Sequence, residues 1–208
     1  MTEDMPAFLR TGPENSKPPI VLAHGAGAGM RSDFMEAFAL GLGDRGIQVL
    51  RFEFPYMQEV SKTGRRRPPS AAGALQRYWI DVVRGLSPVR PVIGGKSLGG
   101  RIASMIADEC DAAGLVCLGY PFHPPRKPEK TRTEHLRHLR TPALFCQGTR
   151  DPFGTADDVA AYDLSPAITL HWLVDGTHRL EPRRKSGRTA QDNWGEAMDR
   201  IASFVRAL

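Results

Sequence analysis

Apolar residues in this chain follow two rhythms. Short unbroken runs such as Ile20-Val21-Leu22-Ala23, Leu115-Val116-Cys117-Leu118 and Ala143-Leu144-Phe145-Cys146 are bounded by glycine, proline or polar residues. Runs of this length and bounding suit strands buried on both faces. Between them, apolar positions recur three or four residues apart, as helices with one buried stripe require. In chain order the pattern predicts a short edge strand at Ala7 to Leu9, a strand at Ile20 to Ala23, and a helix capped near Ser32-Asp33. That helix carries Phe34, Phe38 and Leu42 and is ended by Gly43 to Gly46. A strand from Ile47 to Phe54 is closed by Pro55, and residues 58–70 read as a polar, basic, mobile loop. Ser70 is expected to cap a helix through Leu86 whose stripe is Leu75, Trp79, Val82 and Val83.

The second half repeats the alternation. A strand at Pro91 to Gly94 leads into a helix through Asp111, and a strand at Leu115 to Leu118 is followed by a short helix at Thr133 to Leu139. Then come a strand at Ala143 to Cys146, a helix at Thr155 to Tyr162, a strand at Ile168 to Val174 and a final helix from Ala190 to Leu208. Strands alternating with helices imply an α/β fold, with a mostly parallel sheet of about six to seven strands covered on both faces. Nothing in the pattern splits the chain. Residues 1–208 are expected to form a single domain, with 1–18 as a proline-containing lead-in segment.

Open parallel sheets place ligands at the carboxyl ends of their strands, so the polar residues just after each strand deserve comparison. They are His24, Ser97, Asp151 and His178. Ser97 sits in Gly95-x-Ser97-x-Gly99, where a strand turns sharply into a helix carrying Leu98, Ile102, Met105 and Ile106. Flanking glycines let the chain pass a nucleophile perched on such a turn. The order serine, aspartate, histidine is that of one arrangement of the nucleophile, acid and base. His178 would take the Ser97 proton as general base, and Asp151 would fix the imidazole tautomer. Asp157 and Asp158 compete for the acid's place. Asp175, three residues before His178 on the same turn, would have difficulty reaching the far imidazole nitrogen. The oxyanion hole is expected from two backbone N–H groups, that of Leu98 at the helix N-terminus and that of Ala26 in the glycine-rich turn.

Two nucleotide readings fail on residues. Gly95-Lys96-Ser97 resembles the end of a phosphate-binding loop, but Arg90 stands where that motif needs glycine. Gly25-x-Gly27-x-Gly29 with Glu53 on the next strand resembles a dinucleotide fingerprint, but Met30 occupies the third glycine position.

Composition narrows the class further. Hydrophobic content of 41% and charged content of 25% are ordinary for a soluble globular chain. No apolar run is long enough to span a bilayer, and the N-terminal residues lack a secretory layout, so a cytoplasmic location and no membrane partner are expected. Cys110, Cys117 and Cys146 read as buried reduced thiols, and no metal or other cofactor is expected. The net charge of +5 gathers at Arg65-Arg66-Arg67, at Arg126-Lys127 with Lys130 and Arg132, and at Arg183-Arg184-Lys185 with Arg188. All three clusters fall in Pro-, Gly-, Ser- and Thr-rich segments without a nucleic-acid-binding module, so they read as solvated loops and no nucleic-acid partner is expected.

Six stretches carry a family resemblance. They are His24 to Gly29, Phe54-Pro55-Tyr56, Gly95 to Arg101, Gly119 to Pro125, Gln147 to Gly154 and Asp175 to His178. Together they resemble the α/β-hydrolase superfamily, specifically the small cap-less group related to dienelactone hydrolases and to the testis-expressed and NSL-complex-subunit proteins of animals. The resemblance implies the α/β-hydrolase fold without a cap domain, with Ser97 as nucleophile, Asp151 as acid and His178 as base. True dienelactone hydrolases use cysteine where this chain has Ser97. The expected activity is cleavage of a small-molecule carboxylic ester or thioester through an acyl-enzyme, by a monomer or homodimer. Without a cap, the cleft is expected to be shallow and edged by Tyr56, Met57, Phe122, His123 and Phe153. The alternative is a non-catalytic interaction module that binds a partner through its basic loops, since the group includes members that look like scaffolds.

Overall fold

The computed structural model describes residues 7–14 and 18–208. Parts of the lead-in segment therefore lie outside the described residues. Seven strands form one sheet: β1 (Leu9–Thr11), β2 (Ile20–Ala23), β3 (Val49–Phe52), β4 (Val92–Lys96), β5 (Gly114–Leu118), β6 (Ala143–Gly148) and β7 (Ile168–Leu173). Their spatial order is β1-β3-β2-β4-β5-β6-β7. Every pairing is parallel except that of β1 with β3, where Leu9 faces Arg51.

Six helices accompany the strands: α1 (Asp33–Gly43), α2 (Pro55–Thr63), α3 (Ala72–Arg84), α4 (Leu98–Ile106), α5 (Ala156–Ala160) and α6 (Ala190–Arg206). The unbroken apolar runs feed two cores because successive side chains point to opposite sides of the sheet. Val21, Leu50, Ile93, Leu115 and Phe145 pack with Trp79 and Val82 of α3 and Ile102 of α4. Leu22, Val49, Val92, Val116 and Leu144 pack with Phe34 and Phe38 of α1 and Ile201 and Val205 of α6. Each run thus serves both faces.

Several boundaries differ from the sequence reading, each for a local reason. The edge strand lies at Leu9–Thr11, not at Ala7 to Leu9. Half of the stretch read as a mobile loop at 58–70 is helical. Pro55 opens α2 at a position where its missing N–H costs nothing, Tyr56 and Met57 bury its first turn, and Gly64 ends it in the left-handed conformation with φ 68°. One buried turn, with Val60 packed half-buried against the same core, is enough to hold a helix whose remaining residues are polar. Ser70 does not cap α3; the N-cap position falls on Ala71, with no side-chain hydrogen bond. The helix after Ser97 stops at Ile106 and a turn continues toward Asp111.

Cys117 and Cys146 are buried and Cys110 half-buried, all as free thiols. Burial pushes Cys110 up to about 11 and Cys146 up to about 12, so both stay protonated at neutral pH. The basic clusters are partly tied down. Arg67 pairs with Glu59 at 3.6 Å, Arg183 with Asp175, and Arg188 with Glu196. Among the described residues no helix is long and apolar enough to cross a membrane.

Candidate active site

From β2 the chain crosses to β3 on one side and then returns to β4 on the other. The crevice between the carboxyl ends of β2 and β4 is therefore the topological switch point of the sheet, where such folds hold their ligands. Ser97 follows β4 and the His24 to Gly29 turn follows β2, so both border that crevice.

Ser97 adopts φ 50° and ψ −109°, a sparsely populated conformation for a residue with a side chain. Its neighbours make the turn possible. Gly95 has φ 155°, and a Cβ at either Gly95 or Gly99 would collide with the backbone carbonyl of Ala23. The sheet and α4 approach so closely that only hydrogen fits at both positions.

The three polar residues found after β4, β6 and β7 come together. Ser97 Oγ lies 2.9 Å from His178 Nε2, and His178 Nδ1 lies 2.7 Å from Asp151 Oδ2. Asp151 is fully buried. Its Oδ1 accepts the Phe153 N–H at 2.9 Å and its Oδ2 accepts the Gln147 side-chain amide at 2.9 Å. Burial holds His178 below its ordinary 6.5; the Asp151 hydrogen bond opposes that shift and the charge of Lys96 adds to it. A neutral imidazole, fixed at one nitrogen by a carboxylate and facing a hydroxyl at the other, can accept the hydroxyl proton.

Of the competing carboxylates, Asp157 is exposed on α5, and Asp158 and Asp175 are engaged elsewhere. Asp158 closes a capping box with Thr155 and lies 3.4 Å from His123 Nε2. Asp175 is gripped by Arg183, whose hydrogen bonds hold its carboxyl at about 2.

Buried side chains hold the glycine-rich turn from behind. Phe54 N–H donates to His24 Nε2 at 3.1 Å, which leaves Nδ1 to donate to the Gly25 carbonyl at 2.6 Å. Burial lowers the pKa of His24, consistent with that neutral tautomer. The Tyr56 hydroxyl lies 3.3 Å from the Ala26 carbonyl, and Glu53 accepts the Met30 N–H at 3.1 Å. Glu53, the acidic residue of the dinucleotide-like pattern, thus braces the turn internally. Leu98 is the first residue of α4, so its N–H has no acceptor within the helix.

A cavity of about 300 Å³ opens beside Ser97 and His178, walled by Ala26, Phe34, Met35, Lys96 and Phe153. The Phe153 ring lies 4.3 Å from the His178 ring, centroid to centroid. Of the five residues expected to edge the cleft, only Phe153 does so. Tyr56, Met57, Phe122 and His123 are buried and do not line this cavity. The wall is built instead by α1, because the first turn of that helix stands over the switch point. Sequence reasoning also missed Gln147, which is fully buried and accepts the Tyr120 N–H at 2.7 Å while donating to Asp151. Its sequence signal was its place directly after the apolar run Ala143 to Cys146, at the head of the stretch Gln147 to Gly154. Among the described residues no group of three or more His, Cys, Asp or Glu side chains is arranged to hold a metal.

Comparison with known proteins fits this architecture. Residues 16–206 match a family model described as an alpha/beta hydrolase domain. A carboxymethylenebutenolidase of Pseudomonas sp. (strain P51) is 38% identical over 86 residues, a match that spans 39% of this chain and 34% of that protein. The dienelactone hydrolase of Anabaena variabilis has a similar structure, with a TM-score of 0.72 at 18% identity over 95% of this chain and 89% of its own. An α/β serine hydrolase without a lid from Xanthomonas campestris gives a TM-score of 0.65 at 18% identity, over 100% and 96% of the two chains. With its family match running through nearly the whole sheet and its helices, the chain belongs to the α/β-hydrolase superfamily.

Proposed function

We propose that this protein is a serine hydrolase that cleaves a small carboxylic ester or thioester through an acyl-enzyme. The observation that carries the reading is the unbroken hydrogen-bonded chain from Ser97 Oγ through His178 to Asp151, at 2.9 and 2.7 Å. Ser97 Oγ attacks the carbonyl carbon while His178 Nε2 takes its proton. Asp151 keeps Nδ1 protonated and stabilises the imidazolium. The tetrahedral oxyanion is received by the N–H groups of Leu98 and Ala26 and by the positive end of α4. Collapse expels the alcohol or thiol, which leaves with the proton from His178. Water, deprotonated by the same imidazole, then attacks the ester on Ser97; the bond to Oγ breaks as His178 returns the proton to it, and the acid departs.

The strain at Ser97 also supports catalysis over a purely architectural role. A conformation of this kind costs about 1–3 kcal/mol, which a scaffold has no need to carry. The test is labelling with a fluorophosphonate probe and mapping of the adduct. Wild-type protein is expected to carry the probe on Ser97, and Ser97→Ala to carry none and to lose at least about 10³-fold in ester turnover. Folded wild-type protein that stays unlabelled would sink the proposal.

A further inference from the structure

Lys96 stands immediately before Ser97, yet the reaction just described gives it no part. Its place is costly for an ammonium. The residue is 9% exposed and ends β4 in the cavity wall. Its Nζ donates to the backbone carbonyl of His178 at 2.5 Å and lies 5.4 Å from the centroid of the Phe34 ring. No carboxylate among the described residues pairs with it directly; Asp151, Arg179 and Glu181 act on it only through space. Burying an ammonium this way carries a desolvation cost that a methionine or leucine of similar volume would avoid.

We propose that Lys96 is a positioning residue for His178: its ammonium anchors the segment that carries the imidazole, and its charge opposes protonation of that imidazole. This rests on the reading of Ser97 and His178 given above. The hydrogen bond to the His178 carbonyl ties the loop after β7 to the end of β4, the two segments whose separation sets the distance from serine to imidazole. The charge acts on the same residue.

The groups that face this pair are few. Lys96 sees Asp151 from the turn after β6, Arg179 and Glu181 from the segment following His178, and the neutral Phe34 of α1. His178 sees Asp151 and Lys96. Burial brings Lys96 down to about 7, with Asp151 opposing that shift, whereas His178 is held below 6.5. A protonated Lys96 places a positive charge beside the imidazole. A neighbouring positive charge lowers the imidazole's affinity for a proton. The base thus stays free to lower pH than burial alone would allow. Removing the charge raises the His178 pKa and moves the acidic limb of activity upward.

The experiment measures the rate of fluorophosphonate labelling of Ser97 across the acidic and neutral pH range, together with the His178 imidazole titration by NMR. Wild-type protein is compared with Lys96→Met, Lys96→Gln and Lys96→Arg, each checked for folding by thermal melting. Lys96→Met is expected to label about tenfold more slowly, because the base segment loses its anchor. Its acidic limb and imidazole pKa should both rise by about half a unit to one unit. Lys96→Gln keeps a donor for the His178 carbonyl, so it should regain much of the rate while keeping the shifted limb; Lys96→Arg should leave the limb where it is. Folded Met and Gln variants whose limb and imidazole titration coincide with wild type would overturn the proposal and leave Lys96 as a packing residue. Wild-type protein that is never labelled refutes the role of Ser97 instead, an outcome separable from the other because the NMR titration reports on Lys96 without turnover.

Discussion

Asp151 owes its position to a neutral side chain. Gln147 donates to Asp151 Oδ2 and to the carbonyls of Tyr120 and Gly154 while accepting the Tyr120 N–H, all without solvent. Replacing it with leucine would take the partner from the buried Tyr120 N–H and Gly154 carbonyl, at about 1–3 kcal/mol for each orphan, and one of its donors from Asp151 Oδ2. Gln147→Leu is therefore expected to lose at least about 2 kcal/mol in urea unfolding. Ester turnover should fall with it, since the carboxylate would no longer be held toward His178. An unchanged unfolding midpoint would show that water or a rearranged backbone takes the amide's place. Residues of this kind escape sequence reasoning for a physical reason. That Ser97, Asp151 and His178 come together was legible because each lies just beyond the end of a strand, where parallel sheets place chemistry. Gln147, His24 and Lys96 take their roles from which backbone groups approach them in space. Tyr56 and Met57 were misjudged for the same reason: an aromatic and a thioether near a strand end suit a cleft wall or the packing beneath it equally well.

At the scale of elements, the apolar rhythm predicted the strands and the major helices, and its errors collect at polar ends. Helix α2 was missed because Tyr56, Met57 and the half-buried Val60 alone anchor it, a signal too short to register as a stripe. Caps were the other weak point, since a serine near a helix start need not turn its hydroxyl inward. Ser32 occupies the N-cap of α1 without a side-chain hydrogen bond, and Ser70 lies outside α3. The caps that form are threonines. Thr189 accepts the Asp192 N–H at 3.1 Å, and Asp192 accepts the Thr189 N–H at 2.8 Å, a closed capping box at the start of α6. Because α6 supplies Ala197, Ile201 and Val205 to one of the two cores, its first turn bears on the whole domain. Thr189→Ala is expected to cost about 1 kcal/mol in denaturant unfolding with ester turnover unchanged, while Ser70→Ala should leave stability within about 0.5 kcal/mol of wild type. A larger loss at Ser70 than at Thr189 would reverse the assignment of the caps.

For the molecule as a whole, the order of the strands decides where the site opens, and what stands over that opening decides what can enter. The longest connection between strands, residues 53–91 between β3 and β4, contains α2 and α3, both of which contribute buried residues to the core beneath the sheet's edge. The cavity of about 300 Å³ beside Ser97 is accordingly bounded by α1 and the segments after β2, β6 and β7. A volume of that size is at the lower end for ligand sites, which run from about 300 to 1,000 Å³. Its apolar wall, Phe34, Met35 and Phe153, can bury a short acyl chain and gains about 0.8 kcal/mol for each methylene it takes out of water. Once the cavity is full, further methylenes extend into solvent and contribute nothing. For a series of aryl esters with one leaving group, kcat/KM is therefore expected to rise with chain length to roughly six carbons and to be flat or falling beyond roughly eight. A steady rise through chains of about twelve carbons would require an apolar surface continuing outward from the cavity, such as one formed by a second copy of the chain.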